Sequence, residues 1–198
     1  MSGAKAGADL ARVEIASIAA LEAWLARHQA QRESVWLVTY KKAPGAPHVP
    51  YSEIVDALLC YGWIDSLPRR LDAARTMLLI SPRKPRSAWS KINKDKAARL
   101  IAEGRMRPPG AAAIAVAKAN GAWSALDAVE TLEPPPDLAA ALKRAAPADV
   151  HFAAFPPSVR RGVLEWIAQA KRPETRARRI AETARLAAQN KRANQYRP

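Results

Sequence analysis

Hydrophobic positions along this chain alternate between a helical and an extended spacing. From Ser17 onward, apolar residues recur every three or four positions, which predicts a helix with Ser17 as its N-cap. Residues 35–40 are continuously β-branched, apolar or aromatic, which predicts a strand. The apolar stripe of residues 54, 55, 58 and 59 predicts a helix that Ser52 caps and Gly62 ends. A helix between two strands is therefore expected early in the chain.

The remaining pattern gives more extended segments first and then only helices. Residues 63–65 form a short extended piece, and residues 76–80 form a second strong strand that ends at Ser81-Pro82. After residue 90 the apolar spacing is helical, and the triple proline 134–136 is a linker signal. We predict an α+β fold, with a small antiparallel sheet packed by helices and an all-helical C-terminal extension. The expected organisation is a flexible leader over residues 1–14, an α+β domain over 15–133 and a helical region over 134–198.

Charge changes this picture because it is concentrated in two blocks. The net charge is +14 over 198 residues. Residues 69–107 carry 12 Lys and Arg against 3 acidic residues, and residues 160–198 carry 11 against 3. The rest of the chain is slightly acidic. Two basic blocks raise the local concentration of anionic partners, among them nucleic acid, anionic lipid and acidic protein. A basic composition without any such partner explains the same numbers equally well.

Several chemistries find no support in the sequence. The single cysteine, Cys60, lies in an apolar run and is typical of a buried structural thiol. The three histidines are far apart, and neither metal-ligand spacing nor a glycine-rich phosphate loop occurs. We therefore predict no catalytic residues, no metal and no cofactor. Without an apolar run long enough to span a membrane, and without a secretory signal, we expect a cytoplasmic protein.

The segment 81–94 is the best candidate for a binding site. It combines guanidinium and ammonium donors, two prolines that stiffen the backbone, and one large aromatic ring. Trp89 is available to stack on a base or a sugar, unless it packs in the core and the cations are merely solvated. We add the Trp and the Asp of the preceding segment 62–66 to this site. The candidate ligand-binding residues are then Trp63, Asp65, Arg83, Lys84, Arg86, Trp89, Lys91 and Lys94.

Asp65 and the C-terminal arginines each allow more than one interpretation. Asp65 pairs with Arg83 or Arg86, or serves as a general base in a pocket floored by Trp63; structural pairing is favoured, because a lone carboxylate makes poor catalysis. A secondary basic face is formed at helical spacing by Arg172, Arg176 and Arg179. This face lies along a phosphate backbone, pairs with acidic neighbours, or docks the extension on the sheet domain.

Four segments in this order are similar to the YdeI/OmpD-associated family, over about residues 35–190. They are Tyr51-x-Glu53 with Gly62-Trp63-Ile64-Asp65-Ser66, then Ser81-Pro82-Arg83 to Trp89-Ser90-Lys91-Ile92-Asn93, then Leu100-Ile101-x-x-Gly104-x-Met106, and last Trp166-Ile167 to Arg178-Arg179-Ile180. The resemblance implies bacteriocin protection or association with a porin, and no catalytic residues.

Together, these observations predict a non-enzymatic cytoplasmic binding protein of the YdeI/OmpD-associated type. The basic, Trp-containing loop would bind an anionic ligand, with nucleic acid as the simplest case, in stress or antimicrobial-peptide resistance. The alternative is a small-molecule-binding protein or an enzyme with a pocket around Trp63, Asp65, Arg83 and Trp89. A protein partner is the third expectation, since the family description names a porin.

Overall fold

The structure is a computed structural model that describes residues 10–194. It divides into two compact units. The first, here called the sheet unit, comprises residues 10–87 and 92–122. The second, here called the helical unit, comprises residues 88–91 and 123–194. Most of the predicted leader, residues 1–9, lies outside the described residues.

The sheet unit contains a four-stranded mixed sheet. Its strands are β1 (Arg12–Glu14), β2 (Val35–Tyr40), β3 (Trp63–Arg70) and β4 (Arg75–Pro82), in the spatial order β1-β2-β4-β3. The α+β class with a helical C-terminal region is confirmed. Three strands are antiparallel neighbours as expected, but β1 pairs in parallel with β2 from within the predicted leader. The sequence did not predict β1, because its three residues are too few to establish an alternation of apolar and polar side chains. They form a strand only through their pairing with β2.

Four helices complete the sheet unit: α1 (Ile18–Arg27), α2 (Tyr51–Cys60), α3 (Lys91–Ala102) and α4 (Pro108–Ala119), of which α3 takes its first residue from the helical unit. The predicted cap of α1 is confirmed, because the Ser17 hydroxyl accepts a hydrogen bond from the Ala20 amide at 3.2 Å. The predicted cap of α2 is wrong. Pro50 occupies the N-cap, with no side-chain hydrogen bond, and Ser52 lies inside the first turn.

One face of the sheet packs on α1 and α2. Leu37 and Ile80 meet Leu21, Leu25 and Leu58 there, all at most 1% exposed. The other face carries a smaller cluster around Trp36 and Val38. This alternation along β2 explains why the strand reads as continuously apolar: each of its two faces is covered.

The helical unit contains a short 3-10 helix (Asp127–Thr131) and four α-helices. They are α5 (Pro136–Arg144), α6 (Ala148–Ala154), α7 (Pro157–Ala168) and α8 (Pro173–Ala188). Three of them have proline in the first turn, where its missing amide hydrogen costs no helical bond. Phe152, Val163 and Ile167, each 1% exposed, form the centre of their common core.

Candidate functional site

A cavity of about 570 Å³ opens between the sheet and the start of α2, within the sheet unit. Its walls are mostly apolar, with Val49 and Ile54 on the helix side and Leu78 on β4. The volume is in the range of pockets that hold small organic molecules. We call it the Tyr51 cavity, because Tyr51 lies at its rim with 59% of its surface exposed.

A hydrogen-bonded pair marks one side of the Tyr51 cavity. The Tyr51 hydroxyl donates to Oδ2 of Asp65 at 2.5 Å, which joins the first turn of α2 to β3. Burial, followed by this bond to a carboxylate, raises the pKa of Tyr51 to about 12. The phenol therefore stays protonated and stays a donor at neutral pH. Both residues belong to the motif over residues 51–66, and the fold brings together two side chains that are fourteen positions apart in the sequence.

Arg83 contributes charge near this pair. Burial lowers the pKa of its guanidinium to about 10, while the negative charge of Asp65 acts to raise it. The Arg83 amide also donates to the Gly62 carbonyl at 2.8 Å, which fixes the end of β4 beside the start of β3. Asp65 and Arg83, whose pairing the sequence predicted, therefore interact through their opposite charges. Arg83 itself does not line the cavity.

The opposite side of the Tyr51 cavity carries nitrogen groups that the sequence did not indicate. Lys41 donates from Nζ to the carbonyls of Asp72 and Ala73, at 2.8 and 3.0 Å. His48 Nδ1 lies 2.8 Å from the Tyr40 carbonyl oxygen. Because a carbonyl oxygen only accepts, Nδ1 of His48 carries a hydrogen in this contact.

Lys42, Lys41 and His48 stand at the end of β2 and in the proline-rich loop that follows it. A lysine pair after a strand and a histidine between prolines carry no motif. The only sequence signal for this side was the loop itself, since loops often carry binding residues. Tyr51 was visible in the family motif, but nothing in the sequence paired it with Asp65.

The two tryptophans of the predicted site are buried. Trp63 is 2% exposed and packs edge-on against Trp24 at a centroid distance of 5.4 Å, so it lies in the core and does not line the cavity. Trp89 is 1% exposed and lies 4.9 Å from Trp123 in the helical unit. A ring this deeply buried has no face for a base, so the packing alternative holds for Trp89.

The predicted basic loop is divided between the units. Lys84 and Arg86 are exposed and belong to the sheet unit, as does the half-buried Lys94, whereas Lys91 belongs to the helical unit. The turn between β4 and residue 88 is closed by a bond from the Ser87 amide to the Lys84 carbonyl at 2.9 Å. A ligand-binding role for these lysines and for Arg86 stays a prediction.

The secondary basic face consists mainly of structural contacts inside the helical unit. Arg176 donates twice to Asp137, from Nε at 2.7 Å and from Nη2 at 2.9 Å, and so ties α8 to the start of α5. Arg179 bonds the Trp166 carbonyl and places its guanidinium 5.0 Å from the centroid of the Trp166 ring. Arg172, the N-cap of α8, is exposed. Pairing with an acid is the correct interpretation for Arg176, although the acid is Asp137 and not one of its helical neighbours.

Neither a group of candidate metal ligands nor a membrane-spanning helix was found in residues 10–194. Within that range, no three His, Cys, Asp or Glu residues are grouped so as to hold a metal ion. Burial raises the pKa of the Cys60 thiol, which disfavours the reactive thiolate. No helix in the described part of the chain is both long and apolar enough to cross a bilayer. The cytoplasmic location stays a prediction.

Two family models match the chain. Residues 13–113 match a family described as a domain of unknown function, DUF8412, and residues 131–190 match the family described as bacteriocin-protection, YdeI or OmpD-associated. Neither the curated proteins nor the solved structures contain a match. The resemblance to the YdeI/OmpD-associated family is confirmed for residues 131–190, whereas the motifs around Tyr51, Asp65 and Trp89 fall within the first match. Because that first match spans half of the chain, the protein belongs to the DUF8412 family and carries a YdeI/OmpD-associated region in its helical unit.

Proposed function

We propose that this protein is a non-enzymatic binding protein that holds a small, largely apolar organic molecule in the Tyr51 cavity. The observation that carries the proposal is the Tyr51–Asp65 pair at the rim of an apolar cavity of about 570 Å³. Apolar walls supply affinity through removal of surface from water, and a few placed polar groups fix orientation. This function corresponds to the small-molecule alternative of the sequence analysis, with Asp65 as the shared residue.

The same geometry disfavours catalysis at this site. A tyrosine with a pKa of about 12 is a poor proton acceptor at neutral pH. Asp65 is the only carboxylate among the described residues that line the cavity, so it lacks a second acid to divide the roles of acid and base. Lone carboxylates of this kind orient ligands more readily than they transform them.

Titration with a neutral probe tests this proposal. We expect 4-hydroxybenzamide to shift the backbone amide resonances of cavity residues such as Thr39, Ser66 and Leu78 in a nitrogen–proton correlation spectrum. Asp65→Asn should weaken binding about fivefold, the size expected when a charged acceptor becomes neutral at a partly exposed rim. Tyr51→Phe should weaken it as well, because Asp65 loses its fixed orientation.

Tyr61→Phe is the matched control, since Tyr61 lies at the other end of α2 and outside the cavity lining. It should bind the probe as the unaltered protein does. Shifts scattered over the surface, or shifts insensitive to both Asp65→Asn and Tyr51→Phe, would contradict the proposal.

Anion binding by the turn at residues 82–86 is the second candidate, and one observation favours it. Lys84 and Arg86 are exposed and carry no ion pair within residues 10–194. They flank Pro85, which restricts its own backbone and that of Lys84. Two preset cations suit a nucleic-acid backbone. The setting we propose for either function is stress or antimicrobial-peptide resistance, as the description of the family matched by residues 131–190 suggests.

Fluorescence anisotropy with a labelled DNA duplex and a labelled single strand tests the second candidate. Replacing Lys84 and Arg86 with Ala should reduce the slope of log affinity against log salt by about two, one for each lost phosphate contact. A double Ala replacement of Arg27 and Arg32, two exposed cations elsewhere on the sheet unit, is the control. Equal slopes for both double variants would reject this candidate.

A further inference from the structure

The charges around the Tyr51 cavity are unequal. Two ammonium groups, on Lys41 and Lys42, belong to its lining, against the single carboxylate of Asp65. That carboxylate already accepts from Tyr51 and lies within electrostatic reach of the buried guanidinium of Arg83. The charge of Asp65 is therefore largely compensated, whereas neither lysine forms an ion pair with an acid among residues 10–194. Such an imbalance favours an anionic ligand.

Lys42 is the cation most available to a ligand. It is exposed, and it makes no hydrogen bond or ion pair with any residue in the described range 10–194. Lys41, its neighbour, uses two of its three ammonium hydrogens on the carbonyls of Asp72 and Ala73. One donor of Lys41 is left, and its charge is fixed in place by the other two.

His48 adds a second free group on this side. Its Nδ1 hydrogen is committed to the Tyr40 carbonyl, and its Nε2 has no partner among residues 10–194. An imidazole carries no negative charge in either of its usual forms, so this nitrogen does not repel a carboxylate as another acid would. The side of the cavity formed by the end of β2 and the following loop is therefore suited to an acidic head group.

The other side offers an acceptor. Oδ2 of Asp65 receives the Tyr51 hydroxyl, and Oδ1 has no hydrogen-bond partner among the described residues. An ionised carboxylate accepts hydrogen bonds only, so a ligand group at this oxygen must be a donor. A hydroxyl or amide N–H meets that requirement without adding a second negative charge.

We infer that the ligand of the Tyr51 cavity is a small hydroxy-carboxylic acid with an apolar body. Its carboxylate meets Lys42 and the remaining donor of Lys41, and its hydroxyl donates to Oδ1 of Asp65. A carboxylate, with a single negative charge, matches one free lysine better than a doubly charged phosphate does. This inference rests on the proposed function, because it assigns the ligand class of the same cavity.

Matched acid and amide probes test the ligand class. They are 4-hydroxybenzoate with 4-hydroxybenzamide, and 6-hydroxyhexanoate with 6-hydroxyhexanamide, titrated against the full chain by calorimetry and by nitrogen–proton spectra. In one pair or both, the acid should bind about fivefold more tightly than its amide, the size expected for an exposed ion pair. Lys42→Met, which keeps the apolar stem of the side chain, should abolish that preference.

Lys171→Met is the control, since it removes an equally exposed lysine from the helical unit. Amides that bind as tightly as acids and shift the same cavity residues would overturn the acid class but leave the proposed function standing. A preference for acids that survives in Lys42→Met would also overturn it. If no probe shifts a cavity residue, the proposed function and this inference fail together.

Discussion

Each unit, over residues 10–194, contains a cavity of about 530 Å³ or more, and the polar groups of these two cavities differ. The Tyr51 cavity measures about 570 Å³, and a groove in the helical unit beside Pro134–Pro136 measures about 530 Å³. Both have mostly apolar walls. Arg176, the cation of the groove, is held by two bonds to Asp137, whereas Lys42 in the Tyr51 cavity has no such partner within residues 10–194. The volume of a cavity therefore does not identify a binding site. Polar groups that line the cavity and have no partner in the fold do identify one.

The strongest test of the comparison concerns two glycines, one in each unit. In the sheet unit, a Cβ on Gly110 would lie 2.3 Å from the Cys60 carbonyl oxygen and 2.6 Å from that of Leu59. Gly110→Ala should therefore push α4 away from the end of α2 and lower the free energy of unfolding by about 3 kcal/mol, at the upper end for overpacking. Urea denaturation measures the change.

Gly162 in α7 of the helical unit is the control, because a Cβ there meets nothing within 4 Å. Gly162→Ala should raise the free energy of unfolding by about 0.5 kcal/mol through helix propensity. A similar loss for both variants would show that α2, which carries Tyr51, is not held by this close packing.

The ion pairs of the two units differ in burial, since Asp56 of the sheet unit is less exposed than Asp137 of the helical unit. Asp56 in α2 is 7% exposed and accepts from Lys96 at 2.7 Å and from Arg99 at 2.5 Å. Asp56→Ala leaves Lys96 without its acid and leaves Arg99 with only the exposed carboxylate of Glu103. Because Arg99 is 43% exposed and stays partly hydrated, we expect a loss of about 2 kcal/mol, below the value for a fully buried pair. Glu103→Ala, which removes the exposed acid on Arg99, should cost less.

The stability that Asp56 contributes should depend on pH. Burial by itself would raise the pKa of Asp56, but bonds from Lys96 and Arg99 outweigh it and hold the pKa below its ordinary value. A group with a depressed pKa stabilises the fold above its unfolded pKa, about 3.9 for Asp, and stops doing so as pH falls through the folded pKa. The stability difference between the unaltered protein and Asp56→Ala should be constant at neutral pH and shrink below about pH 4. A difference that persists in strong acid would show that charge is not its cause.

The smallest effect is expected for a substitution that leaves the groove of the helical unit with a cation that has lost its acid, so that the groove resembles the Tyr51 cavity. Asp137→Ala frees Arg176 beside the groove of the helical unit. It should cost about 0.5 kcal/mol of stability, because the side chains of Arg176 and Asp137 are 33% and 47% exposed and stay hydrated. The freed guanidinium should let 4-hydroxybenzoate bind weakly there, seen as new shifts at Leu164 and Ala168. Glu174→Ala, which removes an acid in the first turn of α8 without freeing Arg176, should not. Absence of a gain in Asp137→Ala would contradict the role assigned to unsatisfied charge.

Local signals in the sequence were sufficient for most of the elements. Ser17, before a helical spacing of apolar residues, predicted the start of α1. Gly62 predicted the end of α2, and the structure places it in the left-handed region at a φ of 72°. Strand β1 was missed because three residues acquire their structure from pairing with β2. The continuation of β3 to Arg70 was missed for the same reason, since a proline and a bulge interrupt its pattern.

The candidate site was less accessible to sequence reasoning. The motif singled out Asp65, which lines the cavity. The density of cations singled out residues 81–94, and a binding role for them stays a prediction. The sequence left open whether Trp89 is available or buried, because a tryptophan in a basic segment has the same local sequence in both cases. Lys42 and His48 gave no signal, since their importance depends on the wall that they share with residues far along the chain.

By itself, the sequence determined the α+β class, most helix and strand positions, the basic charge and the relation of residues 131–190 to the YdeI/OmpD-associated family. These follow from short-range periodicity, capping and composition. Only the tertiary structure decided that Tyr51 bonds Asp65, that Arg176 is occupied by Asp137, and that Lys42 has no such partner within residues 10–194. The reason is physical: whether a polar group is available to a ligand depends on which distant groups already satisfy it.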